Sequence, residues 1–419
     1  MLGLTLVIRK SEFSLELSLI SLLSLVFFIN LLVYPYIYGP KVYVMKHANH
    51  LAQKFIITDG HIDIPWRLHK GGYEDLSVRT LGGDFDYVRA IEGGLNVPFM
   101  SIYVPATYQV TGGAKGMAEE LIETVERITT DHPDKFEIAY NVSDADRIVN
   151  EGKIALPMGM ENGAPIEGDL ENIEYFHNKG ISYITLTHSK DNAICDSSYD
   201  TTGTHQGLSS FGAEVVAEMN RVGVMVDISH VSDNAFYQVM DITKVPAIAS
   251  HSSCRHFTPG FERNMSDDMI KRLAENGGVI QINFGSSFVT QASQDKRTAN
   301  GEKVNAYAEE NNLEADDSKV QEFAKEVAKD NPIFCDVTDV ADHIDRVVEL
   351  AGIEHVGFGS DYDGVGDTLP YGLKDPSDFP NLIYHLLKRG YSEEDIEKIC
   401  YKNVWRVWKA NEEFARSQS

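Results

Sequence analysis

Cysteine is scarce and widely scattered. Cys195, Cys254, Cys335 and Cys400 are the only four in 419 residues, and no two of them form a C-x-x-C pair. A paired-cysteine zinc site and a thioredoxin-like motif are therefore not indicated. Each is expected to be a small buried or half-exposed residue; a disulfide stays open if the chain is exported, with no pairing readable. Positive charge is also in deficit. Lys plus Arg number 37 against 63 Asp plus Glu, a formal net charge of −26, which repels a phosphate backbone and sets nucleic acid aside as a partner. No internal repeat is evident, and no low-complexity linker follows the first few dozen residues, so residues 45–419 are expected to form one large domain.

Charge of either sign is missing from Leu17 to Pro40, where Leu, Ile, Val, Phe and Tyr dominate. That run is long enough to cross a bilayer. Arg9 and Lys10 precede it, which favours a cytoplasmic N-terminus and an exported remainder. Residues 1–44 are thus expected to be a hydrophobic anchor or signal segment, attaching the protein to a membrane or sending it to the cell envelope. A translation start at Met45 would instead leave it cytoplasmic. No small-x-small cleavage site stands out near Tyr34 to Tyr38, and Glu12 and Glu16 are unusual in a signal peptide. No apolar tail follows Trp408, so a C-terminal lipid anchor is not expected.

What is present beyond Met45 is an alternation of short apolar, β-branched runs with amphipathic stretches, the pattern of βα units around a parallel sheet. The runs lie near Phe55–Thr58, Leu95–Val104, Ile154–Met160, Ser182–Leu186, Val224–Ile228, Ala247–Ser250, Val279–Asn283 and His355–Gly359. Helical patterns between them include Ala118–Thr129, Gly212–Arg221, Ser232–Met240 and Ser266–Glu275, several opened by Ser or Asp as caps. Eight strands with right-handed helical crossovers close into a (β/α)8 TIM-type barrel. One connection is long: 291–336 is highly charged, predicts a helix over Ser318–Lys329 and follows the seventh run. It reads equally as a cap over the catalytic face or as a surface insertion.

His61-Ile62-Asp63 closes the first strand, and side chains two apart on a strand project to the same side. Both can reach one metal, although an isolated H-x-D is weak evidence. The signal strengthens because Glu161, His188, His230, His251 and Asp361 all fall at the same ends of their own runs. In a parallel barrel those ends form one face, where the active sites of this fold lie. With strands about 4.8 Å apart and paired hydrolytic metals about 3.5–4 Å apart, ligands from adjacent tips can share two ions. A surface or satisfied-core reading suits His47, His50, His132, His177, His343 and His385 better than these four strand-end histidines.

Six ordered segments, spread along a chain that matches from about Asp59 to Trp408, carry a resemblance: Asp59–Trp66 (DGHIDIPW), Leu186–Ser189, Asp227–Ser232, Ser250–Ser253, Arg263–Asp268 and Gly359–Gly364. Together they resemble the successive motifs of the membrane (renal-type) dipeptidase family. The resemblance implies two zinc ions per chain, His61 and Asp63 on one, His230 and His251 on the other, and Glu161 bridging. It also implies that His188 contacts substrate and steadies the oxyanion, that Arg263 with Asn264 binds the substrate, Arg263 by its carboxylate, and that Asp361 handles the proton. The implied reaction is hydrolysis of dipeptides with a free C-terminus through a metal-bridging hydroxide, including substrates with a D- or dehydro-residue at the carboxyl side.

The chemistry fits those residue types. Zinc takes imidazole and carboxylate ligands and lowers the pKa of bound water to roughly 7, a strand-tip histidine can donate to a developing oxyanion, and a carboxylate can relay the proton. A guanidinium fork matches a carboxylate. Departures from the family are the cysteine positions, which put the bridged, lipid-anchored dimer of the animal members in doubt and leave a homodimer open, Ile62 and Ile64 in the opening motif, and the 291–336 insertion. Two other functions compete: a related barrel amidohydrolase acting on N-acyl amino acids or cyclic amides, and a catalytically silent binding protein.

Overall fold

Short runs that are apolar on both faces can only be satisfied inside a sheet covered on one side by helices and filled on the other, and that is how they are used. The computed structural model describes residues 34–314 and 317–418, with side-chain environments from Lys41 onward. Its strands are β1 (Ile57–Ile62), β2 (Leu95–Tyr103), β3 (Phe136–Ile138), β4 (Ile154–Leu156), β5 (Met158–Glu161), β6 (Ile181–Thr185), β7 (Met225–Asp227), β8 (Ile248–Ser252), β9 (Val279–Ile282) and β10 (Val356–Phe358). Eight of them close a parallel barrel in the order β1-β10-β9-β8-β7-β6-β5-β2, and β3 with β4 make a separate two-stranded sheet. The fold is a (β/α)8 barrel.

Two strand expectations change. The run Ile154–Met160 is two strands, because Pro157 lacks the N–H a continuous ladder needs; β4 pairs with β3 and β5 enters the barrel. The first strand runs on through the polar Asp59 and Gly60 to Ile62, buried throughout. Asp59 is tolerated there because its Oδ1 accepts from the His61 and Ser360 amides at 3.1 and 2.9 Å. Gly60 is required because a Cβ would stand 1.6 Å from the Gln281 amide.

Helices cover the outside, and Ser209, Ser232 and Ser266 cap three of them by accepting from the third residue on, each worth about 1 kcal/mol. The C-terminal helix Asn403–Gln418 closes the end of the barrel where the strands begin. Trp408 packs on Phe99 with ring centroids 5.2 Å apart, and Trp405 donates its indole N–H to Thr58 at 3.0 Å. Trp408→Ala should cost about 3–5 kcal/mol. With that end plugged, the other end, where the strands finish, is the open mouth.

All four cysteines are buried and unbridged. Within the insertion, helix Gln291–Asn311 precedes the expected helix, which spans Ser318–Asp330. Most of the charge-free N-terminal run falls outside the described residues. The helix Tyr34–Lys54 that follows buries Ala48, Leu51 and Ala52 completely. Among the described residues no helix is long and apolar enough to cross a membrane.

Candidate metal centre and active site

The strand ends aim a ring of buried donors into the mouth. His61 is the penultimate residue of β1, and Asp63 follows the strand as the residue before helix Ile64–Gly71; their side chains converge, with Nε2 to Oδ2 at 3.5 Å. Glu161 ends β5. His230 and Asp361 sit in loops just after β7 and β10, each in the left-handed region at φ 69° and 64°, a conformation non-glycine residues hold only when the surroundings demand it. His251 lies on β8.

Glu161 is the hub. Its Oε2 lies 3.4 Å from His61 Nε2, while its Oε1 lies 3.1 Å from His230 Nε2, 3.3 Å from His251 Nε2 and 3.6 Å from His188 Nε2. Three overlapping sets of donors have their ligand atoms within 4.8 Å of one another: His61, Glu161 and His251; Glu161, His188 and His230; and His61, Asp63 and Asp361.

The hydrogen bonds behind the ring set its tautomers. Tyr183 spends its one proton on the Gly60 carbonyl at 3.0 Å. It therefore accepts from His61 Nδ1 at 2.8 Å, which leaves the Nε2 lone pair facing two carboxylates with no hydrogen-bond partner. Ser250 likewise donates to Asp227 at 2.6 Å and accepts from His251 Nδ1 at 2.8 Å, so His251 Nε2 also points its lone pair inward, 2.9 Å from His230 Nε2. Two buried lone pairs aimed at a carboxylate repel unless a cation lies between them. Asp63 Oδ1 is also buried without a partner. These residues fit divalent metal, and a ligating imidazole anchored through its other nitrogen is the usual supporting arrangement.

Electrostatics point the same way. Burial lowers the pKa of the His61 imidazole, but Tyr183, Glu161 and Asp63 outweigh it and raise it well above its ordinary value, so the space between those carboxylates calls for positive charge, a proton where no metal is bound. Burial, then Arg263, holds the His230 imidazole well below its ordinary pKa; burial, then His61, does so for His251. Both are neutral, the form that binds metal. Burial raises the Glu161 carboxyl, but His61 and His188 outweigh it and keep it well below the carboxylate range. Asp361 is pushed up to about 7 by burial and by Asp63, and Asn283 donates to its Oδ2 at 2.7 Å.

A cavity of about 830 Å3 opens over this ring, lined by Asp63, Glu161, His188, His230, His251 and Asp361 among others. His188 packs against His230 with the rings tilted by 37° and centroids 4.2 Å apart, and meets Tyr103 edge-to-face at 4.8 Å. Arg263 is 3 % exposed behind the wall. Its two terminal nitrogens donate to Ser252 Oγ at 2.7 Å and the His251 carbonyl at 2.8 Å, and its Nε has no partner. Asn264 lies further from the cavity, its amide tying Thr258 Oγ1 to the Phe288 carbonyl, both at 2.7 Å.

The sequence pattern of the membrane dipeptidases, peptidase family M19, matches residues 45–419. The chain belongs to that family. It is accordingly a metallo-dipeptidase by class. Among its relatives, dipeptidase tcpJ of Claviceps purpurea is 32 % identical over 374 residues, covering 86 % of this chain and 78 % of that protein. An uncharacterized dipeptidase of Schizosaccharomyces pombe is 31 % identical over 387 residues, covering 88 % and 82 %. The solved structure of the probable dipeptidase PvdM from Pseudomonas aeruginosa superposes with a TM-score of 0.77 at 26 % identity, covering 89 % of this chain and 99 % of that one. A metallopeptidase from Rhodobacter sphaeroides, solved with a phosphinate mimic of L-Ala-D-Ala, shares the fold at TM-score 0.70 and 22 % identity, covering 85 % and 99 %.

Several residues with a part in this M19 site were not singled out by sequence reasoning. Asp227 and Ser250 stood inside quoted motifs as neighbours of the histidines. Tyr183 gave no local signal; its hydroxyl meets a residue 122 positions away. The space for its ring comes from Gly159, its register partner, where a Cβ would lie 1.9 Å from the ring.

Proposed function

We propose that this M19 chain is a two-zinc dipeptidase, with His61 and Asp63 holding one ion, His230 and His251 the other, and Glu161 bridging them. The observation that carries this reading is the division of the Glu161 carboxylate, one oxygen toward His61 and the other toward His230 and His251. Zinc ions held there supply Lewis acidity and make hydroxide available from water near neutral pH.

The chain's own residues do the rest. Asp361, with a carboxyl raised to about 7, is suited to accept a proton from the attacking water and return it to the leaving amine. Asn283 fixes the orientation of that carboxylate. His188, which burial keeps below its ordinary pKa, faces the cavity as a donor for the oxygen that gains charge on the scissile carbonyl. Arg263 supplies positive charge behind His251, toward which the free carboxylate of a dipeptide would be drawn. The membrane attachment and envelope location read from residues 1–44 belong to the same proposal.

The purified protein should hold about two zinc ions per chain and cleave simple dipeptides, L-Ala-D-Ala included, losing activity to a chelator and regaining it with zinc. Full hydrolysis by protein with negligible metal would overturn the reading. One observation favours a second reading, an amidohydrolase acting on N-acyl amino acids or cyclic amides: both terminal nitrogens of Arg263 are engaged within the protein. A dipeptidase should lose most of its activity on C-terminally amidated dipeptides, whereas equal turnover of free and amidated forms would favour the amidohydrolase.

A further inference from the structure

One cation on the cavity wall has no place in the chemistry above. Arg297 lies in the second turn of helix Gln291–Asn311, on the 291–336 insertion, and among the described residues it is the one Lys or Arg lining the cavity. Four carboxylates line the same space: Asp63, Glu161, Asp361 and Asp363. In a chain this acidic, exposed arginines find acids: Arg79 pairs with Glu92, Arg127 with Asp131, Arg147 with Glu137 and Arg221 with Glu174. Arg297 is exposed as well, yet among the described residues no ion pair is formed by it. Its neighbours one helical turn away are Ser293, Gln294, Asn300 and Gly301, none of them acidic. Its polar contact is a donation to Ser287 Oγ at 3.3 Å.

The base it stands on is fixed. Thr290 caps the helix by accepting from the Ser293 amide. Asn300 and Asn331 exchange hydrogen bonds at 3.0 and 2.8 Å, and Tyr307 stacks on Phe323 at 4.2 Å, joining the two helices of the insertion. The guanidinium is therefore held at the cavity by packed helices, and the rotamers of one side chain are the freedom left to it.

One aromatic ring relates Arg297 to Arg263. The Arg297 guanidinium lies 5.7 Å from the Phe288 ring, and that of Arg263 lies 5.6 Å from the same ring. If the Arg263 side of the cavity takes the C-terminal carboxylate, Arg297 faces the side chain of the same, C-terminal residue. This step rests on the dipeptidase reading. An unpaired guanidinium offers a carboxylate two parallel N–H donors.

We infer that Arg297 is a specificity-determining residue that binds the side-chain carboxylate of an aspartate or glutamate at the C-terminal position of the substrate. The test compares near-isosteric pairs, Ala-Glu with Ala-Gln and Ala-Asp with Ala-Asn, in both configurations of the second residue, on the zinc-loaded enzyme. The wild type should show KM roughly tenfold lower for the acid than for its amide, with kcat changed far less. Arg297→Gln should bring that ratio to about one, Arg297→Lys should keep part of it, and Arg297→Glu should turn the preference toward Ala-Lys. A wild-type ratio of one or below, or a ratio that survives Arg297→Gln, overturns the inference. So does an acid preference confined to the N-terminal residue, Glu-Ala over Gln-Ala. Should the zinc-loaded protein cleave no dipeptide, the dipeptidase reading has failed; calorimetric binding of glutamate against glutamine, in wild type and Arg297→Gln, then decides the role of Arg297 separately.

Discussion

Two groups of buried histidines in this barrel obey opposite rules. His343, on helix Val337–Ala351, is fully buried and fully satisfied: Nδ1 accepts from the Cys254 amide and Nε2 donates to the Val289 carbonyl, both at 2.9 Å. His61 and His251, equally buried, have one nitrogen satisfied and the other turned toward carboxylate oxygen. Since buried polar groups in folded proteins almost always find partners, the first arrangement is a finished piece of structure. The second is complete only with a cation. What separates a structural histidine from a functional one here is the fate of its second nitrogen, and neither burial nor residue type reveals it.

The largest effect should follow from removing the hub. Glu161→Gln takes away the negative charge on which both halves of the ring converge. Zinc content should fall below one ion per chain and kcat/KM by at least about 10³-fold, since metal assistance is worth several kcal/mol. Circular dichroism should show the barrel intact. Wild-type activity and metal content in this variant would break the distinction drawn above, because the carboxylate would then be as structural as His343.

The comparison should also hold in acid, with the opposite group failing. Burial lowers the His343 pKa from 6.5 to about 4, so between those values the unfolded chain binds a proton that the native state refuses. Stability from this residue is complete above pH 6.5 and is lost progressively as pH falls from there to about 4, a total of about 3 kcal/mol. Urea unfolding of metal-free wild type and His343→Gln at pH 7.5 and pH 4.5 isolates this contribution, because every other titrating group is common to both. The wild type should lose about 2–3 kcal/mol more than the variant across that interval. Equal losses would show that His343 is protonated in the native state.

Convergence at the mouth was legible because it follows from strand ends: His61, Glu161, His230, His251 and Asp361 each end an apolar run or follow one closely, and a parallel barrel has one face for all of them. The barrel itself was legible from the alternation of runs and helices. The three-residue strand Phe136–Ile138 was too short to show a period. Helix Gln291–Asn311 was hidden because its apolar residues gather on no single face, its buried positions being Ser293 and Asn300. The support behind the ligands was invisible for another reason. A contact such as Tyr183 to His61 is specified by the barrel's register, which places Gly159 beside Tyr183, and by no pattern local to either residue.

That support is where the smallest effect should appear. Tyr183→Phe keeps the ring against Phe99 and deletes one oxygen, so packing is nearly unchanged. His61 Nδ1 then loses its acceptor, the tautomer with a proton on Nε2 is no longer disfavoured, and a ligand must pay a proton before it can bind metal. Outer partners of this kind typically account for 10–100-fold in metal affinity or activity. The expected result is a zinc Kd raised by that factor in competition with a chelator, with more of the loss recovered at high zinc than in Glu161→Gln. Tyr391→Phe is the control, since Tyr391 donates to Asp345 at 2.8 Å and takes no part in lining the cavity, and it should move zinc affinity by less than about threefold. If the two phenylalanine variants behaved alike, the second nitrogen of His61 would not be set by Tyr183, and the contrast with His343 would have to rest on the carboxylates alone.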